Sequence, residues 1–291
     1  MKYRVDVICV TESGVETRCT IMELMRGELA METLGLSLAE GKTLLQGVQA
    51  VIAAHHITED LTRRRAGGHC GTRYHSKSAG TSTVETVFGA VPVPNPRWEQ
   101  CPCQPDGPRT FQPTARWLTR RTGPERLYLE TKWASLLPYD KVVDLLKEVL
   151  PVRASTNHET VRVHLQAVAE RMEAELGDER PPDPVTPELD PELPVPDGPM
   201  TVGLDGGYVR AAHHEGCFEV IAGRSVVAFR RRDGEPVPPP KCFGFVQTYD
   251  AKPRRRVWEL MKSQGLQDNQ QVVFLSDGGE DIRQVRAYLH P

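Results

Sequence analysis

Two carboxylates stand in matching surroundings in this sequence and have the chemistry to hold a metal ion. Asp205 and Asp277 each follow a strand-like run, and each is followed by two glycines. Glycine at the end of a strand lets the backbone of a ligand approach closely. Two carboxylates held in this way can share divalent metal ions, Mg²⁺ or Mn²⁺, for chemistry on phosphodiesters. Asp-Gly is also a common turn, so a purely structural role is the alternative for each aspartate.

Three cysteines form a second group that could bind a metal ion. Cys70 lies on one strand-like segment with His69 and His75, and Cys101 and Cys103 lie on a later one. The two segments suggest the knuckles of a zinc ribbon, in which each knuckle carries Cys-x-x-Cys. Here the knuckles read His-Cys-Gly and Cys-Pro-Cys, and ligands so close in sequence suit tetrahedral geometry poorly. The spacing therefore favours a metal-free or degenerate ribbon, with bound Zn²⁺ as the alternative.

A pair of helices is the candidate for contact with DNA. Periodicity predicts one helix over 139–150 and a second that begins at a capping box, Thr156-Asn-His-Glu159. Two helices joined by a tight turn fit helix-turn-helix geometry. A plain helical hairpin that packs on a neighbour is the alternative. The candidate DNA-binding side chains, on the second helix and on the arginine-rich segment before the pair, are His158, Arg162, Arg116, Arg120 and Arg121.

The distribution of charge also favours a polyanionic partner. The net charge is −3, but residues 177–200 contribute −6 through seven acids and one arginine, which leaves the remainder near +3. Several basic patches on separate segments suit nucleic acid. Ordinary solvated surface is the alternative for any one of them. The clusters are Arg63–Arg65, Arg116 with Arg120 and Arg121, Arg230–Arg232, and Arg254–Arg256.

The sequence predicts no membrane partner. No apolar run approaches the ~20 residues that a membrane span needs, and the charged, alternating N-terminus is unlike a signal peptide. The seven cysteines are scattered and odd in number, which favours reduced thiols in the cytoplasm.

A proline-rich segment divides the chain. Residues 178–199 carry eight prolines between acids, and proline fixes φ and removes donors, so we expect an extended, semi-rigid linker. Before it we expect an α+β DNA-binding region in three parts. These parts are a hairpin and a helix (1–66), a degenerate zinc-ribbon-like β segment (67–112) and helix-turn-helix-like helices (113–177).

Residues 200–291 predict an α/β domain. Their order is three strands, a helix, a fourth strand and a helix, which is the order of a partial ribonuclease-H-like domain. In that fold the first and fourth strands are neighbours. Asp205 and Asp277 would then meet, and like charges that close need a metal ion to neutralise them.

Five stretches resemble the ISKra-type insertion-sequence transposases. The resemblance covers most of the chain and is weakest before about residue 60. It implies a DDE-type transposase that binds double-stranded DNA at transposon ends, acts as a homo-oligomer in the bacterial nucleoid, and uses Mg²⁺. By this resemblance Asp205 and Asp277 match the first two catalytic acids. The five stretches are 127–136, 142–151, 168–176, 202–210 and 274–283.

The third acid of the family's triad would follow Pro291, and no residue of this chain matches it. We therefore expect a transposase truncated within its catalytic domain, which binds DNA but cleaves it weakly or not at all. The alternative is a non-enzymatic DNA-binding or regulatory protein that acts at transposon ends.

Overall fold

The protein is described here by a computed structural model. The described residues are 1–67, 70–103, 108–179, 198–211, 216–227, 239–246, 250–267, 269–277 and 279–289. Most of the predicted linker lies outside them, as do His69 and Arg230–Arg232. Internal contacts divide the chain into unit 1, Met1–Val168, and unit 2, Ala169–Pro291.

Unit 1 begins with a hairpin and a long helix, as predicted. Strands β1 (Lys2–Val10) and β2 (Glu16–Met25) pair antiparallel, and Gly14 takes a left-handed φ of 80° in the turn between them. After a 3-10 turn, Met31–Thr33, helix α1 (Leu38–Arg63) starts at the predicted capping box. Ser37 Oγ accepts from Glu40 N at 3.2 Å, and Glu40 Oε2 accepts from Ser37 N at 2.8 Å.

Short strands follow α1. Strands β3 (Ser76–Ser78), β6 (Arg97–Glu99) and β7 (Thr110–Phe111) form a three-stranded sheet in the order β3-β6-β7. Strands β4 (Thr81–Thr86) and β5 (Gly89–Pro94) form a separate antiparallel hairpin. These elements place the three candidate cysteines on two loops.

Three helices follow: α2 (Pro124–Ala134), α3 (Tyr139–Val149) and α4 (His158–Glu175). The predicted helix over 139–150 is confirmed. α3 has a strongly amphipathic pattern, and its apolar face forms a small core. The buried residues of that core are Ala134, Val142, Val143, Leu146 and Val161.

The predicted start of α4 is wrong by one residue. Asn157, not Thr156, caps the helix, because Asn157 Oδ1 accepts from Thr160 N at 2.9 Å. Thr156 is buried, and its hydroxyl accepts from Arg126 Nη2 at 3.0 Å, so it has another partner. The predicted tight turn is also wrong, since residues 150–157 join the two helices and a helix-turn-helix uses about three or four.

Unit 2 has the predicted order of elements: β8 (Met200–Arg210), β9 (Cys217–Val226), β10 (Lys241–Val246), α5 (Pro253–Ser263), β11 (Val272–Leu275) and α6 (Glu280–Leu289). The strand order in the sheet is β10-β9-β8-β11. β8, β9 and β10 pair antiparallel, and β11 pairs parallel to β8. Apolar residues of α5 and α6 share one core with a single face of the sheet. That core includes Met200, Val202, Leu204, Ile221, Phe245, Val257, Met261, Ile282 and Val285.

Candidate functional sites

Asp205 and Asp277 each follow, by two residues, one member of a residue pair that joins the neighbouring strands β8 and β11. β11 pairs with β8 in the register Leu275↔Gly203; Asp277 follows Leu275 by two residues and Asp205 follows Gly203 by two residues. The predicted strand end at Asp205 is wrong, because β8 continues to Arg210, whereas Asp277 does follow the end of β11. Because side chains alternate between faces with a period of two, continuing this register puts both carboxylates on one face of the sheet. Adjacent strands lie about 4.8 Å apart, so on this extrapolated register one ion would be within reach of both. Gly279 N donates to Asp277 Oδ1 at 3.2 Å and helps to hold that carboxylate.

The face that carries the two aspartates is the one opposite the core. Both aspartates are exposed, and Leu275 on the same face is 56% exposed. A shallow depression of about 500 Å³ lies over β8, β9 and β10 and is lined by Asp205 and Arg224. Its floor includes Gly203 and Ala222, and such small residues let a polymer backbone come close. The depression therefore offers the carboxylate of Asp205 and the exposed guanidinium of Arg224 to a ligand.

Among the side chains that the structure describes, no third carboxylate completes a metal-sized group with Asp205 and Asp277. In that part of the chain, only the cysteines make a group of three or more potential ligands close enough to share an ion. Glu219 of β9 lies against Gly206, where a Cβ would be 2.9 Å from its Oε1. Since Gly206 directly follows Asp205, Glu219 lies on the other face of the strand.

Two loops bring the three cysteines together. Tyr74 N donates to Arg65 O at 2.9 Å and Gly67 N to Thr72 O at 2.9 Å, which closes a hairpin with Cys70 at its tip. A second loop, closed by the bond from Gln100 N to Arg109 O at 3.0 Å, carries the other two cysteines. The Sγ atoms of Cys70 and Cys101 are 3.2 Å apart, and all three sulfur atoms, with Cys103, lie within 4.8 Å of one another.

His75 does not join the three sulfur atoms. Its Nδ1 faces Glu99 Oε2 at 3.5 Å, and its side chain is 79% exposed. The described cluster therefore consists of thiols alone. The three sulfur atoms meet because the two loops lie side by side. The spacing Cys-Pro-Cys by itself does not predict that contact.

A small aromatic core positions the two cysteine loops. The ring centroids of Tyr74 and Trp98 are 5.9 Å apart, and Phe111 meets the two rings edge-on at 5.0 and 6.0 Å. Arg65 lies over the Trp98 ring at 5.1 Å, and Trp98 is 1% exposed. These side chains hold the start of the first loop against β6 and β7.

The pKa values of Cys70 and Cys103 are shifted in opposite directions. Hydrogen bonds from the hydroxyl and the backbone N–H of Thr72 lower the pKa of Cys70 to about 6. Hydrogen bonds with Cys101 and Cys70 raise the pKa of Cys103 to about 12. Opposite shifts of this kind are expected when neighbouring sulfur atoms, which would repel one another as anions, share protons.

The predicted arginines before the helix pair are exposed. Arg116, Arg120 and Arg121 all have exposed side chains. Among the described residues, none of the three forms an ion pair with a carboxylate, whereas Arg64 pairs with Asp60 at 2.7 Å. With respect to the described carboxylates, three guanidinium groups within six residues are thus free to contact an anion such as phosphate.

The interpretation of Arg254–Arg256 as a free basic patch is wrong. These three side chains form ion pairs within unit 2 around the start of α5. Arg254 pairs with Glu179 at 3.2 Å and Arg255 with Glu259 at 2.6 Å. Arg256 pairs with Glu173 and with Asp250. Glu259 and Asp250 are close to these arginines in sequence, whereas Glu173 and Glu179 reach α5 from more than 70 residues earlier in the chain.

The predicted positions on α4 differ in availability. His158 is exposed at the start of the helix. Arg162 bonds Glu159 through two nitrogens, at 2.9 and 2.5 Å, and bonds Gln166 Oε1 at 2.8 Å. The hydrogen bond with Arg162 holds the pKa of Glu159 below its usual value. Arg162 must leave this pair before it can contact DNA.

A buried charged network in unit 1 has no counterpart among the predictions. Glu130 is 0% exposed; it accepts from Arg126 Nε at 2.8 Å and contacts His164 Nδ1 at 2.5 Å. Arg126 also donates to Glu85 at 2.9 Å, and Arg153 donates to the same carboxylate at 3.0 Å. The i,i+4 spacing of Arg126 and Glu130 was the available signal, but it does not reveal burial. The network connects β4, α2 and α4.

Comparisons with known proteins give no family assignment. No protein-family model matches the chain, and no curated protein is similar to it. Among the described helices, none combines the length and the apolar character that crossing a membrane requires. Functional arguments for this protein therefore depend on the geometry of its own residues.

Proposed function

We propose that this protein is a DNA-binding protein of the DDE-transposase type, in which Asp205 and Asp277 are two of the metal-binding catalytic acids. The observation that carries the proposal is the register of β11 against β8, which, continued two residues beyond Leu275, puts Asp277 beside Asp205 on one face of the sheet. The strand order β10-β9-β8-β11, with a helix between β10 and β11, supports a ribonuclease-H-like catalytic domain in unit 2.

The residues present fit a hard divalent cation. Carboxylate oxygens are the ligands that Mg²⁺ prefers, and Mg²⁺ is commonly bound by one or two carboxylates together with substrate phosphate. When bound, Mg²⁺ or Mn²⁺ would supply activation of a water or 3′-hydroxyl nucleophile and stabilisation of the leaving oxygen. Asp205 and Asp277 would hold the ion, Arg224 would contact a DNA phosphate, and Gly203 would leave room for the DNA backbone.

Unit 1 supplies the proposed DNA-binding surface. Arg116, Arg120 and Arg121 are exposed and unpaired among the described residues, so they can neutralise phosphates without first breaking an ion pair. Each neutralised phosphate releases counterions, and binding then weakens as salt rises. His158, exposed at the start of α4, is the side chain of that helix that we expect to contact DNA.

We expect the chain by itself to bind DNA and to cleave it weakly or not at all, because the pair supplies only two of the three carboxylates that such a centre uses. The second candidate function is a non-enzymatic DNA-binding or regulatory protein at transposon ends. One observation favours this second function: among the described side chains, no third carboxylate lies beside Asp205 and Asp277 to complete a catalytic centre.

The first experiment measures DNA binding and cleavage together. Purified protein is titrated into the terminal DNA of its element and into scrambled DNA across a salt series, with Mg²⁺ or Mn²⁺ present and products followed on a gel. Single Arg→Ala substitutions at 116, 120 and 121 should each weaken binding and reduce the salt slope by about 0.9 for each lost phosphate contact. Lys141→Ala, an exposed cation on α3, is the control.

The second experiment measures the metal site directly. Mn²⁺ binding, followed by electron paramagnetic resonance, should be lost in Asp205→Asn and in Asp277→Asn, while Asp144→Asn on α3 should bind as the parent does. Unchanged Mn²⁺ binding in both variants would refute the metal site. Robust Mg²⁺-dependent nicking that Asp205→Ala abolishes would refute the expected inactivity. Metal binding and salt-dependent DNA binding without nicking would support the proposal.

A further inference from the structure

We propose that Cys70, Cys101 and Cys103 form a structural site for a thiophilic divalent metal ion, and that Zn²⁺ is the ion bound. The site lies in unit 1 and is independent of the chemistry proposed for Asp205 and Asp277. Its role is to fasten two loops of a small β module.

The separations of the sulfur atoms fit a tetrahedral ion. A Zn–S bond is about 2.3 Å long, so two sulfur ligands of a tetrahedral zinc are about 3.8 Å apart. Cys70 and Cys101 have their sulfur atoms at 3.2 Å, and the greatest separation in the cluster is within 4.8 Å. Metal binding therefore requires sulfur shifts of less than about 1 Å, which small side-chain rotations provide.

The surroundings of Cys70 suit a metal-bound thiolate. Thr72 directs both its backbone N–H and its hydroxyl to the sulfur. Gly71, between these two residues, has a left-handed φ of 67°, which glycine adopts at little cost and which lets the chain turn around the sulfur. Hydrogen bonds to the ligating atom are the usual outer shell of a protein metal site.

The β module that carries the cysteines has short strands and a small apolar core to stabilise it. Strands β3, β6 and β7 have three, three and two residues, and their core consists of Tyr74, Trp98 and Phe111. So small an apolar core rarely fixes loops by itself, and structural zinc supplies the missing free energy in modules of this size. The three cysteines lie on the two loops that such an ion would join.

A disulfide between Cys70 and Cys101 is the competing use of these sulfur atoms. It would join the same two loops but would leave Cys103 without a role. Convergence of all three sulfur atoms is expected for a metal site and not for a two-cysteine bond. The experiment must therefore count metal ions and free thiols in the same sample.

The test uses the full chain purified under reducing conditions and dialysed without chelator. Zinc content is measured by plasma mass spectrometry, and free thiols are counted after denaturation. We expect one zinc ion per chain and seven free thiols. In Co²⁺-loaded protein we expect thiolate-to-cobalt charge transfer and the ligand-field bands of a tetrahedral ion. Protein without zinc, and without these bands after incubation with Co²⁺, would overturn the proposal, as would a Cys70–Cys101 disulfide in the purified chain.

Variants separate the site from the other cysteines. Cys101→Ser and Cys103→Ser should lose zinc and the cobalt bands, whereas Cys217→Ser, an exposed cysteine in unit 2, should keep both. Because a cysteine variant can lose metal through misfolding, Thr72→Val supplies a second measurement. It leaves all three ligands in place and should weaken Zn²⁺ binding about tenfold, as loss of an outer-shell partner does. Full zinc content in both cysteine variants would refute the site.

Discussion

Replacing Glu130 by glutamine should destabilise unit 1 more than any exposed charge change in the same helix. The carboxylate is 0% exposed and holds Arg126 and His164 by bonds of 2.8 and 2.5 Å. Glu130→Gln keeps the size of the side chain and removes the charge. The buried guanidinium of Arg126, whose side chain is 4% exposed, then has Glu85 as its remaining carboxylate partner.

The magnitude follows from these contacts. Breaking a buried ion pair by removing one partner costs about 3–5 kcal/mol. Glu85 still compensates part of the charge of Arg126, so we expect the low end, about 3 kcal/mol. For a unit of this size, 1 kcal/mol corresponds to roughly 2–4 °C, so the melting temperature should fall by about 6–12 °C.

The assay must report on unit 1 alone, because two units can unfold separately. In a Trp258→Phe background, the tryptophans that remain are Trp98, Trp117 and Trp133, all in unit 1. Urea and thermal unfolding followed by fluorescence then give the free energy of unfolding of that unit. Glu125→Gln, an exposed carboxylate on α2, is the matched control. A difference between the two variants below about 0.5 kcal/mol, the range of ordinary surface changes, would refute the argument that the network is buried and stabilising.

Three further predictions follow from the same structure. Burial alone would raise the pKa of Glu130, but hydrogen bonds from His164 and Arg126 outweigh burial and lower the pKa. The contribution of Glu130 to the stability of unit 1 is therefore fully present above its unfolded pKa of about 4.3, and it is lost as pH falls through its lower folded pKa. Acid unfolding of unit 1 should accordingly have a shallower pH dependence in Glu130→Gln. Gly223→Ala should cost about 1–3 kcal/mol in unit 2, because its Cβ would lie 2.3 Å from Phe243 Cζ and 2.5 Å from a backbone oxygen; Gly207→Ala, with no neighbour within 4 Å, is the control, and equal urea midpoints would contradict the packing. Asn157→Ala should cost about 1 kcal/mol through loss of the cap of α4, and unchanged hydrogen exchange in the first turn of that helix would show that the cap contributes nothing.

Local signals predicted most of the regular structure. The hairpin at Gly14, the capping box at Ser37 and the elements of unit 2 were all predicted from patterns that act within a few residues. The cap at Thr156 was predicted from the same kind of signal and was wrong. Arg126, thirty residues earlier, donates a hydrogen bond to the Thr156 hydroxyl, and no local sequence pattern predicts that contact.

The charged residues show even more clearly that local patterns do not predict contacts between distant parts of the chain. Arg254–Arg256 has the pattern of a basic patch, but Glu173 and Glu179 neutralise part of it from positions more than 70 residues earlier in the chain. Arg116, Arg120 and Arg121 have a similar pattern and are exposed, and they form no ion pair with a carboxylate within the part of the chain that the structure describes. Pairing of charges depends on which distant segments meet, so composition alone cannot separate a binding surface from an internal network.

The sequence by itself determined where strands and helices form, because hydrophobic periodicity, capping and turn residues act through the nearest backbone groups. It also singled out Asp205 and Asp277, although the predicted strand end at Asp205 is wrong, since β8 continues to Arg210. Only the tertiary structure decided that those strands pair in a common register, that three thiols on two loops converge, and that Glu130 is buried among cations. Each of these depends on closing long loops, and the contacts that favour one closure over another lie far apart in the chain.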